Sequence, residues 1–163
     1  MSRLQLALNV NDIEESIAFY SKLFGTEPAK VRPGYANFAI AEPPLKLVLL
    51  ENPGQGGSLN HLGIEVPDTD AVDAAQARLT GTGLGAVDER DTTCCYARQD
   101  KFWVEGAPDG ASWEVYTVLA DSQTFYSEDQ DGPGCCGGGS EAEVSQSAEA
   151  SASVAAASAG KCC

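Results

Sequence analysis

Histidine is almost missing from this chain: its 163 residues hold one, His61. That excludes any site built on two or more imidazoles. Basic residues are scarce as well, 10 Lys and Arg against 24 Asp and Glu, giving a net charge of −14 at neutral pH. A phosphate backbone or an anionic lipid surface would repel such a chain, which excludes nucleic acid and membrane as partners. No apolar run approaches the ~18 residues of a membrane span, and the opening MSRLQLALNV alternates where a secretory leader needs a continuous apolar stretch. A cytoplasmic protein is therefore expected. Isolated cysteine is absent too, because all six cysteines are neighbours: Cys94-Cys95, Cys135-Cys136 and Cys162-Cys163.

Adjacent cysteines are poorly placed for a disulfide. Their Cα atoms lie about 3.8 Å apart across a trans peptide, below the usual lower limit of about 4.4 Å for a bridge. Two thiols that close are better suited to chelating one soft atom together. One such pair could be plain core filling; three pairs of three point to thiol chemistry.

Composition changes near residue 120. Residues 1–120 carry both tryptophans and most of the aliphatic side chains, enough for one core. Residues 121–163 are Gly, Ser, Ala and acid, with little to bury, and are expected to be disordered. Within the first part the chain repeats itself at an offset of 56 residues, so that QLALNVNDIEESIAFYSKLFGT from Gln5 lies over HLGIEVPDTDAVDAAQARLTGT from His61. Each copy opens with period-2 alternation and continues into an amphipathic helix. Asp12 is the expected N-cap of the first helix, and Asp68 or Asp70 of the second. Three more strand segments follow each helix: AKVRP, YANFAIA and LKLVLLEN in the first copy; GAVDERDTT, KFWVEGAP and SWEVYTVL in the second. The prediction is an α+β fold of two βαβββ modules, about residues 1–55 and 56–120, whose curled sheets enclose a cavity. Pairing of the modules within a chain and swapping between the chains of a homodimer both fit this pattern.

Strand parity sorts the side chains. Leu4, Leu6, Leu8 and Val10 form one face of the first strand, leaving Gln5, Ala7 and Asn9 for the cavity. In the second module His61, Gly63 and Glu65 face the cavity, joined by Glu114 and Tyr116 from the last strand. Gln5 and His61 are thus equivalent under the repeat. With Glu114 they make one imidazole, one carboxylate and one amide oxygen, a three-ligand set that suits Fe(II) or another first-row divalent ion with positions left open. A lone histidine on a strand is more often an ordinary core or surface residue; its coincidence with Gln5 in the repeat singles it out.

At this point the chain resembles a known group. The paired modules, LALNVNDIEESIAFYSKLFGTEP, NHLGIEV and the closing PDGASWEVYTVL look like the vicinal oxygen chelate superfamily of glyoxalase I, extradiol dioxygenases and bleomycin-resistance proteins. Metal ligands in that superfamily come from the first and last strands of each module. Those places map to Gln5, His61 and Glu114, with the fourth falling among Leu47, Val48 and Leu49, none of which can ligate. Together with the vicinal pair in TTCCYA, this set resembles the organoarsenical C–As lyases, whose relatives are known as cadmium-induced proteins.

The resemblance implies a non-heme Fe(II)-dependent dioxygenase that uses O2 to split the C–As bond of trivalent organoarsenicals, with Cys94 and Cys95 binding arsenic as a dithiolate and arsenite as product. Arg90, Arg98 and Lys101 are expected to supply a positive field for the thiolates. Tyr96, Phe102, Trp103 and Tyr116 are expected to line the pocket for the organic group, with Arg32 and Tyr35 near its mouth. The rival reading is a non-catalytic module that sequesters As(III), Cd(II) or another soft metal. A third is oxygen-independent Zn or Ni chemistry of the glyoxalase type.

Overall fold

The computed structural model describes residues 2–126. The remainder of the expected tail, with Cys135, Cys136, Cys162 and Cys163, lies outside the described residues. In chain order the elements are β1 (Arg3–Val10), α1 (Ile13–Phe24), β2 (Lys30–Arg32), β3 (Tyr35–Ile40), β4 (Leu45–Glu51), β5 (Leu59–Glu65), α2 (Thr69–Gly81), β6 (Ala86–Cys94), β7 (Ala97–Val104) and β8 (Trp113–Asp121). This is the expected pair of βαβββ modules in an α+β arrangement. Among the described residues no helix is long and apolar enough to cross a membrane.

Both helices start where a carboxylate can cap them. Asp12 accepts a hydrogen bond from the Glu15 amide, and Asp68, rather than Asp70, accepts one from the Ala71 amide. Gly25 ends α1 in the left-handed conformation, at φ 62°, where a side chain would be strained.

The strands form one sheet in the order β2-β3-β4-β1-β5-β8-β7-β6. The two modules meet through antiparallel pairing of β1 with β5 inside the same chain, with Gln5 opposite Gly63 and Ala7 opposite His61. Each central strand also pairs in parallel with the last strand of its own module, placing Ala7 beside Val48 and Gly63 beside Glu114. Since Ala7 and Gly63 are repeat equivalents, Val48 occupies the place that Glu114 holds in the other module. The three residues considered for a fourth ligand thereby reduce to one, which is apolar.

The outer face of each half carries a helix. Val10, Phe38, Leu47 and Leu49 pack there with Ile13, Ile17, Tyr20 and Phe24 of α1. In the other half Val72 of α2 packs with Phe102 and Val115. Phe102 therefore belongs to the helix-side core and not to the pocket: neighbours on a strand face opposite ways, so Phe102 and Trp103 could not share one wall.

Strand β7 begins four residues before the expected KFWVEGAP segment. Cys94 pairs with Ala97, so Cys95 and Tyr96 alone form the β6–β7 loop, at φ 55° and 59°. Positive φ at both central residues is the signature of the type I′ hairpin turn, normally met by Asn or Gly. Strand β8 includes Asp121, and Phe125 packs against Tyr35 and Tyr96, so contacts with the fold continue past residue 120.

Placement of Phe102 in the core has a measurable consequence. Phe102→Ala should lower unfolding stability by about 3–5 kcal/mol, the cost of a large buried truncation, in chemical denaturation.

Candidate active site

The inner face of the sheet encloses a cavity of about 200 Å³ whose lining includes Gln5, His61, Glu114, Cys94, Cys95 and Gln99. Two chemically distinct groups thus share one hollow. Gln5 and His61 come from the central strand pair and Glu114 from β8, and they are only 4, 3 and 4 % exposed. The thiols enter from the β6–β7 turn.

Gln5 Nε2 lies 3.0 Å from His61 Nε2 and donates to Glu114 Oε1 at 2.9 Å, while His61 Nε2 and Glu114 Oε1 are 3.4 Å apart. Three side chains from distant parts of the chain therefore converge on one small triangle. On the far side of the imidazole, Nδ1 lies 2.7 Å from Asn60 Oδ1, and Asn60 donates in turn to Asn9. A proton on Nδ1 satisfies the Asn60 carbonyl and leaves the Nε2 lone pair facing the cavity, the orientation used by metal-binding histidines. Trp103 packs edge-on against the His61 ring at 5.7 Å.

The spacing fits a divalent cation. Ligand atoms about 2.1 Å from a metal and at right angles to one another are about 3.0 Å apart, close to the observed triangle. Imidazole nitrogen, carboxylate oxygen and amide oxygen suit a first-row ion, provided that Gln5 presents Oε1 instead of Nε2. His61, Glu114 and Gln5 could hold such an ion, with its remaining positions facing the cavity.

Glu114 is buried beside a buried lysine. Lys101 Nζ lies 3.2 Å from Glu114 Oε2, 3.5 Å from Glu89 Oε2 and 4.6 Å from the centre of the Trp103 ring. Burial alone would raise the Glu114 pKa, but the neighbouring charge, that of the Lys101 ammonium foremost, outweighs it and the group sits at about 2. The carboxylate thus reaches the triangle already ionised, with Oε2 tied to Lys101 and Oε1 turned to Gln5 and His61.

Behind Gln5, the Tyr116 hydroxyl contacts Gln5 Oε1 and Glu65 Oε2, the latter at 3.0 Å. Burial, followed by the nearby Glu65 and Glu114 carboxylates, raises the Tyr116 pKa well above its ordinary value. Glu65 is also gripped by Arg3 at 3.1–3.2 Å and by Lys46 at 3.4 Å. Although burial opposes it, Lys46 and Arg3 lower the Glu65 pKa.

Neither Cys94 nor Cys95 forms a disulfide, and their Sγ atoms lie 3.3 Å apart. Gln99, 5 % exposed, donates to the Cys94 carbonyl, and among the described residues its own buried Oε1 has no hydrogen-bond partner. Lys30 donates to the Tyr96 carbonyl and Tyr96 to the Pro33 carbonyl, tying the thiol turn to the first module.

Several expected neighbours lie elsewhere. Arg90 pairs with Asp73 and Asp88, Arg98 with Asp91, and Lys101 with Glu114; the cations lining the cavity are Arg3, Lys30 and Lys46. Tyr35 lines the cavity but Arg32 does not, its guanidinium turning to the Val31 carbonyl. Tyr116 and Trp103 act on Gln5 and His61, and Tyr96 packs on Tyr35. The contributions of Lys101, Glu65, Tyr116 and Gln99 escaped sequence reasoning. Parity places Glu65 and Tyr116 on the inner face and could have put Lys101 and Gln99 there, but no local motif marks their partners.

Comparison with known proteins points the same way. The family model described as Glyoxalase/Bleomycin resistance protein/Dioxygenase superfamily matches residues 3–115. The cadmium-induced protein CadI of Mycobacterium tuberculosis is 62 % identical over 145 residues, covering 85 % of this chain and 95 % of that protein. A trivalent organoarsenical cleaving enzyme of Thermomonospora curvata is 61 % identical over 137 residues, covering 83 % and 89 %. The crystal structure of methylmalonyl-CoA epimerase from Mycobacterium tuberculosis shares the fold at 17 % identity with a TM-score of 0.53, covering 71 % of this chain and 86 % of that one.

The Lys101–Glu114 pair sets a pH signature. Because the Glu114 pKa falls from 4.5 to about 2 on folding, its stabilisation is complete above pH 4.5 and disappears as pH falls towards 2. In Lys101→Met, burial prevails and the Glu114 pKa rises. Stability at neutral pH should drop by about 3–5 kcal/mol, and the acid-unfolding midpoint, followed by circular dichroism, should move to higher pH. An unmoved midpoint would contradict this role for Lys101.

Proposed function

The chain belongs to the glyoxalase/bleomycin resistance protein/dioxygenase superfamily, and from that premise we propose that it cleaves the C–As bond of trivalent organoarsenicals, using Fe(II) and O2. The observation that carries this reading is the shared cavity: a dithiol and a three-donor set of Gln5, His61 and Glu114 line the same hollow. The relatives named as trivalent organoarsenical cleaving enzymes, 61 % and 43 % identical, support the substrate class.

Each protein group has a defined task. An R–As(OH)2 species exchanges both hydroxyls for the Cys94 and Cys95 sulfurs, each exchange forming an As–S bond and releasing water with the thiol proton. Two sulfurs about 2.3 Å from one soft atom, as in metal thiolates, are about 3.3 Å apart when the bonds are near perpendicular. The observed 3.3 Å separation matches that bite. The left-handed turn holds the sulfurs in place, so little chain entropy is lost on forming the second bond. The unpartnered Gln99 Oε1 can accept from the As–OH that remains after the first exchange.

His61, Glu114 and Gln5 would hold the iron, with Lys101 keeping Glu114 ionised and Asn60 orienting the imidazole. When bound, iron supplies the redox chemistry with O2. For a methyl substrate, CH3As(OH)2 and one O2 balance As(OH)3 and formaldehyde. Pentavalent arsenicals lack the thiol affinity needed for capture, which gives selectivity for the trivalent state.

The test is Fe(II) loading without oxygen, addition of methylarsenous acid, then admission of air. Arsenite and formaldehyde should appear in equal amounts only after air enters. Cys94→Ser and Cys95→Ser should lower turnover at least about 100-fold through lost positioning while retaining metal, and His61→Ala should lose metal and turnover together. Stoichiometric retention of arsenic without release would favour sequestration, which the cadmium-induced relatives also bring to mind. Turnover with Zn(II) or Ni(II) in the absence of air would exclude the oxygenase.

A further inference from the structure

The Tyr116 hydroxyl has one proton and two acceptors. It contacts Gln5 Oε1 on one side and Glu65 Oε2, at 3.0 Å, on the other. One proton cannot serve both, so one acceptor faces the phenol oxygen with no hydrogen between them. At the other end of the same amide, Gln5 Nε2 supplies its hydrogens to His61 Nε2 and Glu114 Oε1, both acceptors.

A half-turn of the amide about its terminal bond exchanges oxygen and nitrogen and reverses both situations. Nε2 then donates to the Tyr116 oxygen, and the Tyr116 proton goes undivided to Glu65. Meanwhile Gln5 Oε1, His61 Nε2 and Glu114 Oε1 become three lone-pair donors facing one point, an arrangement that needs a cation. We propose that Tyr116, backed by Glu65, is the positioning residue that turns the Gln5 carboxamide oxygen towards a bound divalent ion, so that amide rotation and metal uptake occur together. This inference rests on the assignment of Gln5, His61 and Glu114 as the metal-holding set.

Two further features fit the device. Glu65 is clamped by Arg3 and Lys46, so the end of the relay is a fixed negative charge. The chain from Nε2–H through Tyr116 O–H to the carboxylate polarises the amide and puts negative charge on Oε1, which makes a neutral side chain a better ligand. Gly63 makes the arrangement sterically feasible. A Cβ there would lie 3.1 Å from Gln5 Nε2 and 3.2 Å from Tyr116 Cε1, crowding the two groups that must work together.

The experiment uses redox-silent Zn(II) on the full chain. Wild type and Tyr116→Phe are titrated with Zn(II) against a competing chelator. In parallel, the Gln5 side-chain amide is followed by nitrogen-15 NMR in wild type, with the signal assigned through Gln5→Ala. Tyr116→Phe should bind Zn(II) about 10–100-fold more weakly, as expected for loss of an outer-shell partner, while capture of phenylarsenous acid by Cys94 and Cys95 stays unchanged. The Gln5 amide signals should shift on loading wild type.

Equal Zn(II) affinity in the variant, or Gln5 amide signals indifferent to Zn(II), overturns the inference while leaving the metal assignment standing. Failure of wild type to take up Zn(II), or uptake undiminished in His61→Ala, overturns the metal assignment and the inference with it. Should Tyr116→Phe fail to fold, the wild-type amide signals decide alone.

Discussion

Antiparallel pairing of β1 with β5 is the contact on which the rest of the structure turns. It joins the two modules edge to edge within one chain, setting Gln5 opposite Gly63 and Ala7 opposite His61. Register matters because a slip of one residue would move every inward side chain of a strand to the helix side. With the observed register, Gln5 and His61 meet at 3.0 Å although 56 residues separate them, and the β5–β8 pairing then brings Glu114 to both. The outer faces bind helices through ordinary apolar packing, which leaves the inner face for polar groups.

Those polar groups are costly to bury and are consequently compensated. Glu114 is matched by Lys101, Glu65 by Arg3 and Lys46, and the His61 ring by Asn60. A buried ion pair adds little stability by itself, yet removing one partner leaves a charge without solvation. The arrangement is therefore better understood as fixing side-chain directions than as holding the fold together. Asymmetry between the halves serves the same end: Val48 stands where Glu114 stands in the other module, so donor side chains crowd towards one side of the pseudo-symmetric sheet.

The offset repeat made the modules and the inward direction of Gln5, His61 and Glu114 legible, because strand parity carries that information directly; the pairing of β1 with β5 was not legible there. What parity cannot supply is partnership between remote side chains. Lys101 was read through its nearness in sequence to the cysteines, whereas its ammonium group reaches Glu114 across the β7–β8 pair. The early start of β7 was hidden for another reason. Turn recognition relies on Asn, Asp or Gly where φ is positive, and here Cys95 and Tyr96 occupy those positions. Contacts of Tyr96 with Tyr35 and Phe125, together with the Lys30 bond to its carbonyl, hold a conformation that the local sequence disfavours. Arg90 and Arg98 were drawn instead to nearby aspartates.

Closure of the cavity by both halves of a single polypeptide has a consequence for the cell. A pocket shared across two protomers exists only when enough protein has accumulated for them to find one another, so its output climbs with the square of abundance at low expression. Here Gln5, His61, Glu114 and both thiols line one chain's own hollow. Each molecule brings these five groups together as it folds, so the number of such hollows rises in direct proportion to the number of chains.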